Sequence, residues 1–386
     1  MENGISNEEN ETGGPSGPNG PIGPDEPGTS GEPGASGEPG TSGEPDGIDK
    51  KSAYRAVCAK LGLVVSVYFV CRILGRLLSA WIDGFAGVLG QAAAYTLGMS
   101  VVIALNYFVP ILLAAALLKS YSHYSGSGGL RALYKRPRRL ARALGTFPAV
   151  YGLGYGTALA TLLAIFLITR LTGGQAPFED IVRPTVLEPS PGVAGALMTV
   201  VLMVVIAPVL EEFWVRGIMY DALRPYGSGI AIIISSVIFG LMHGSVQMLF
   251  YTTALGLALG YVRYATGSLF VGTILHAIVN SVSSGLLLLN SLTGLAFGGN
   301  KLLNTAFSVY VLAMLVLIVV GLSAFFKRIP VIRTYRFENE WREIGAGKKT
   351  ALFFASIPVI IMLVLAINEC SHDWMFRLLL CFGAYQ

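Results

Sequence analysis

Residues 198–216 read MTVVLMVVIAPVLEEFWVR: a run without charge from Met198 to Leu210, then adjacent carboxylates at Glu211 and Glu212, then Arg216 one turn on. A helix crosses the hydrocarbon core of a bilayer in about 20 apolar residues, so this stretch reads as a membrane segment with acids inside it. A charge at mid-depth costs roughly 2.5–3.5 kcal/mol on the insertion scale. Two such acids side by side mark a functional position. The rest of the chain agrees with a membrane setting. Of its 386 residues 53% are hydrophobic and only 13% charged, about half the charge of a soluble domain. That excludes an ordinary soluble enzyme.

Hydrophobic stretches of spanning length lie near residues 59–82, 92–118, 147–170, 193–222, 229–247, 248–264, 268–290, 303–325 and 350–368. The expected fold is therefore all-α: a polytopic transmembrane helix bundle of about eight or nine spans. Lys60, Arg72 and Arg76 interrupt the first stretch, which makes it the least regular. Pro110 reads as a kink in the second. Lys119, Arg131, Lys135, Arg136, Arg138, Arg139 and Arg142 fall between the second and third stretches with no acid among them. A second basic segment follows the eighth. The positive-inside rule puts both loops, and by counting the N-terminus, on the cytoplasmic side, with Arg263 as a further anchor at a cytoplasmic turn. No feature points to nucleic acid; the expected partners are the lipid bilayer and a membrane-associated or lipid-modified protein or peptide substrate.

Residues 1–50 are of another kind. Eleven of the 23 acids and one of the 27 bases fall there, which leaves 12 acids and 26 bases, a net +14, on the remainder. The hexapeptide Gly-Xaa-Ser-Gly-Glu-Pro occurs three times between Gly28 and Pro45. Its glycine spacing is collagen-like, but so acidic and apolar-poor a segment reads as a disordered tail. It is too acidic for a signal peptide, so insertion is expected to begin with the first hydrophobic helix. The chain divides into this tail (1–50), N-terminal transmembrane helices (51–190), a polar-bearing core (191–290) and C-terminal transmembrane helices (291–386). Cys58, Cys71, Cys370 and Cys381 show no metal-type spacing.

Depth tests whether the core's polar groups can meet. At 1.5 Å per residue, Glu211 lies about 18 Å from the end of its helix at Arg224-Pro225, and His243 about 21 Å along the next from Gly229. His276 and Asn280 lie about 12 and 18 Å along the helix that begins at Ser268. All fall in one layer. Glu212 and Arg216 are i,i+4 and can pair, whereas Glu211 points about 100° away. Phe239 shares a face with His243, and His276 with Asn280.

These residues form three motifs, Glu211-Glu212-Phe-Trp-Val-Arg216, Phe239-Gly-Leu-Met-His243 and His276-Ala-Ile-Val-Asn280, separated by 32 and 33 positions from Glu211 to His243 to His276. In kind and order they resemble the motifs of the CAAX-protease and bacteriocin-processing family of intramembrane endopeptidases, related to the type II CAAX prenyl protease. The similarity covers roughly residues 190–290. It implies that Glu211 and His243 activate water, that His276 and Asn280 stabilise the oxyanion, and that Glu212, Arg216 and Phe239 support them. The reaction implied is hydrolysis of a peptide bond near the cytoplasmic face, with CaaX-type C-terminal processing as the eukaryotic precedent. Glu211, His243 and His276 also leave open a Zn²⁺ site with a position for water, although no HExxH pair is present. Two other readings stay open: a non-proteolytic scaffold or immunity factor using the same cavity, and a proton-coupled transporter, for which the halves show no internal repeat.

Overall fold

The computed structural model describes residues 50–118, 133–137, 139–173, 193–293, 301–334 and 344–381. The acidic tail and most of the segments 119–142 and 172–190 lie outside the described residues, together with the expectations placed on them. Among the described residues every regular element is helical. We label α1 Lys50–Asp83, α2 91–118, α3 Phe147–Leu171, α4 193–223, α5 Ser228–Met242, α6 Val246–Thr266, α7 Leu269–Thr293, α8 Lys301–Thr334, α9 Ala346–Phe354 and α10 Ile357–Cys381. Eight of the nine apolar stretches fall largely on one of these helices or on the α9–α10 pair, and the stretch 229–247 runs past the end of α5.

Five helices among the described residues are long and apolar enough to cross a bilayer, or six if α9 and α10, bent by 73°, form one broken span. One expected span, α5, falls short in length. The 15 residues of α5 reach about 22 Å at 1.5 Å each, short of the ~30 Å hydrocarbon core. By contrast α7, Leu269–Thr293, runs 25 residues, about 37 Å by the same arithmetic. The helix that ends at His243 is therefore an insert supported by neighbours, rather than an independent span.

Two apolar cores hold the bundle. One gathers Tyr54, Leu61 and Phe69 of α1, Trp214 and Leu223 of α4, Ile234 and Ile238 of α5, and Met362 of α10. The other gathers Val150 and Tyr151 of α3, Leu255 and Leu259 of α6, Leu275 and Val279 of α7, and Ile318 of α8. In lipid there is little hydrophobic force between helices, so close backbone approach does much of the work. At the α3–α8 crossing Gly152 and Gly321 meet backbone to backbone, and a Cβ on either would overlap the other helix. The outer surface of α8 exposes Val309, Leu312, Val316 and Val319, an apolar band suited to lipid.

Three π-helical turns widen the ladder: Ala104–Phe108 in α2, and Leu202–Ile206 and Phe213–Met219 in α4. The first two end two residues before Pro110 and Pro208. A proline has no N–H to donate and its ring crowds the carbonyl four residues back, so the helix widens there. The expected kink at Pro110 takes this form. Arg263, by contrast, is no exposed anchor: it is 2% exposed and sits 3.4 Å from the carboxylate of buried Asp221. Packing of α6 against α4 draws the guanidinium inward, where only a paired charge is tolerated.

Candidate active site

The polar layer lies where the two cores meet. Glu211 and Glu212 are adjacent in α4, yet the helical rotation separates their fates. Glu212 is buried, with 1% of its side chain exposed, and its Oε1 accepts from Arg216 Nη1 at 2.8 Å. Arg216 is fully buried, donates through Nη2 to the Gly256 carbonyl of α6, and lies 4.5 Å over the ring of Phe239. A guanidinium over an aromatic face gains electrostatically when desolvated. Removing one partner of such a pair typically costs 3–5 kcal/mol. On the far side of Glu212, Gly272 of α7 leaves room: a Cβ there would stand 3.1 Å from Oε2.

His276 joins the two carboxylates. Its Nδ1 is 3.1 Å from Glu212 Oε1 and its Nε2 is 3.8 Å from Glu211 Oε2. An ionised carboxylate only accepts, so Nδ1 carries the proton it donates to Glu212. Glu211 is the more open of the pair, with 13% of its side chain exposed. Its Oε1 accepts from the hydroxyl of Tyr107 at 2.8 Å. Tyr107 lies in the π turn of α2, which aims it across at α4.

His243 is the C-cap of α5 rather than an interior residue, because Gly244 turns the chain at φ 64, a conformation glycine adopts without strain. This ends the expected fifth stretch short of Gln247. The His243 Nδ1 lies 2.8 Å from the Phe239 carbonyl. A carbonyl accepts, so Nδ1 is the protonated nitrogen and Nε2 of the neutral ring keeps its lone pair. The Phe239 ring stands edge-on between the imidazoles, 4.9 Å from His243 and 5.8 Å from His276. Asn280, one turn beyond His276, donates from Nδ2 to the Met203 carbonyl at 2.8 Å. That carbonyl belongs to the second π turn.

The structure thus brings Glu211, Glu212, Arg216, Phe239 and His276 into one contact cluster, with His243 across the Phe239 ring and Asn280 on the neighbouring turn. Among the described residues no three His, Cys, Asp or Glu side chains are grouped so as to hold a metal ion. Each histidine engages Nδ1 within the protein, which leaves Nε2 as the nitrogen that faces a ligand.

Two contributors escaped the sequence reading. Tyr107 gave no signal beyond the nearby Pro110. Arg72 counted only as an interruption of an apolar stretch, yet it donates to the carbonyls of Met242 and His243 and pairs with Glu369 of α10. A basic residue within a spanning helix, with an acid in another, is the pattern that betrays such a pair.

An all-helical membrane bundle with a carboxylate and two imidazoles in one internal layer has the makings of an intramembrane hydrolase. Residues 193–282 match the family model described as type II CAAX prenyl endopeptidase Rce1-like. No curated protein and no solved structure matches the chain.

Proposed function

We propose that the chain is an intramembrane endopeptidase in which Glu211 activates the water that attacks a peptide carbonyl. One observation carries this reading: of the two adjacent acids, Glu212 is sealed by Arg216 and His276, whereas Glu211 stays accessible and is aimed by Tyr107. Glu211 takes a proton from water as the oxygen attacks, with the Nε2 lone pair of His243 as the second acceptor on that side. The tetrahedral oxyanion is stabilised by donors from α7, and each such donor is typically worth ~10²–10³ in rate. His276 donates from Nε2 only when the ring carries both protons, with Glu211 and Glu212 balancing its charge. Asn280, on the next turn of the same helix, is the second donor. The proton then passes to the leaving amine as the C–N bond breaks, which leaves a carboxylate and an amine.

The basic loops support a cavity opening toward the cytoplasm and a substrate cleaved near that face. A lipid-modified C-terminal segment is the substrate class the family description suggests. The test compares newly formed peptide termini in membranes carrying the intact protein and equal amounts of Glu211→Gln. We expect a set of termini that disappears with the substitution and persists when a chelator is added. Unchanged termini with the variant still folded would favour a non-proteolytic role. Termini lost on chelation alone would instead require a metal.

A further inference from the structure

Helix α5 ends at Met242, and the last carbonyls of a helix have no partner within it. Here they are met from α1. Met242 O accepts from Arg72 Nη1 at 2.7 Å and from the Tyr68 hydroxyl at 2.9 Å, and His243 O accepts from Arg72 Nη2 at 3.0 Å. The planar guanidinium suits this two-point contact, and a cation is well placed at a helix C-terminus. Behind it stands Glu369 of α10, with 3% of its side chain exposed, 3.4 Å from Arg72 Nε. Arg76 grips both oxygens of the same carboxylate. On the site side, Gly244 leaves no slack: a Cβ there would lie 3.1 Å from Arg72 Nη2.

A continuous chain of charge-assisted contacts therefore runs from α10 through α1 to the backbone of His243. Its ring is fixed separately through Phe239. We propose that Arg72, backed by Glu369, is the positioning residue for His243, so that α1 and α10, both outside residues 193–282, belong to the catalytic unit. This rests on the proteolytic reading above. A misplacement of about 1 Å at a reacting group can cost on the order of 10²-fold in rate, and a helix end held by one guanidinium is where such a displacement would start.

The test uses the full chain and two readouts: the kinetics of a Glu211-dependent cleavage, and hydrogen exchange at the amides of His243 and Gly244. Both amides are hydrogen-bonded within the α5 end, to Gly240 and Leu241. Arg72→Ala should lower kcat roughly 10- to 100-fold with KM within about twofold, and speed exchange at those two amides while the middle of α5 keeps its protection. Arg72→Lys, which reaches one carbonyl rather than two, should recover part of the loss. Adding Glu369→Gln to Arg72→Ala should lower kcat no further, because Glu369 reaches His243 through Arg72, whereas loss of its bond to Arg76 falls on stability. Should Arg72→Ala not accumulate as folded protein, Glu369→Gln alone carries the test, with the same local pattern and a smaller loss. Unchanged kcat and exchange, loosening spread through all of α5, or multiplying losses in the double variant would overturn the proposal. If Glu211→Gln abolishes no cleavage, the proteolytic reading falls instead, while exchange still decides whether Arg72 holds His243.

Discussion

At the scale of single residues, the site turns on how two identical neighbours are made different. Glu211 and Glu212 have the same chemistry, but a rotation of about 100° sends one to a buried guanidinium and the other to a partly open position beside Tyr107. The i,i+4 spacing of Glu212 and Arg216 made that pair legible in the sequence, and the structure has it at 2.8 Å. The Tyr107 contact was not legible, because 104 positions separate it from Glu211 and only packing brings them together. A hydrogen bond to a charged group contributes about 1.5–3 kcal/mol. Tyr107→Phe should therefore slow Glu211-dependent cleavage roughly tenfold or more and lower the thermal transition of the purified protein modestly. Steady-state kinetics beside a melting curve checks both halves of that expectation.

At the scale of elements, the π turns do the aiming. Each of the three carries a residue that reaches the polar layer: Tyr107, Met203 through its carbonyl, and Arg216. Two of them precede prolines, so the cause is in the sequence even though the expected outcome was a plain kink. Replacing Pro110 by alanine restores an N–H and removes the crowding on the preceding turn. We expect the turn of α2 to relax toward α-helix and rotate Tyr107 off Glu211. Pro110→Ala should then show the same kinetic loss as Tyr107→Phe, and the double variant should be no slower than either, since both act through one hydrogen bond. The short α5 is the other lesson at this scale. Hydropathy alone counted it as a span, whereas the turn at Gly244 ends it and makes His243 a helix terminus.

At the scale of the whole molecule, the matched segment depends on helices on both sides of it. The α3–α8 crossing supports the core that contains α7, and through it His276. Gly321→Leu would force those backbones apart. Overpacking of this kind typically costs about 1–3 kcal/mol, so the thermal transition in detergent should fall, and cleavage should fall with it as His276 drifts from Glu212. Glu211→Gln, by contrast, should abolish cleavage with little effect on the transition. The contrast separates scaffold from chemistry in a single pair of melting and activity measurements.

The sequence by itself determined that the protein is a helical membrane protein, which helices carry the polar residues, and that those residues share one depth. These are local properties: apolar runs of fixed length, a rise of about 1.5 Å per residue, and i,i+4 spacing. Only the tertiary structure decided which acid stays open, where α5 stops, and that Tyr107, Arg72 and Glu369 reach the site from distant segments. Those outcomes depend on which helix faces pack together. Buried charges and helix ends must find partners wherever the packing places them.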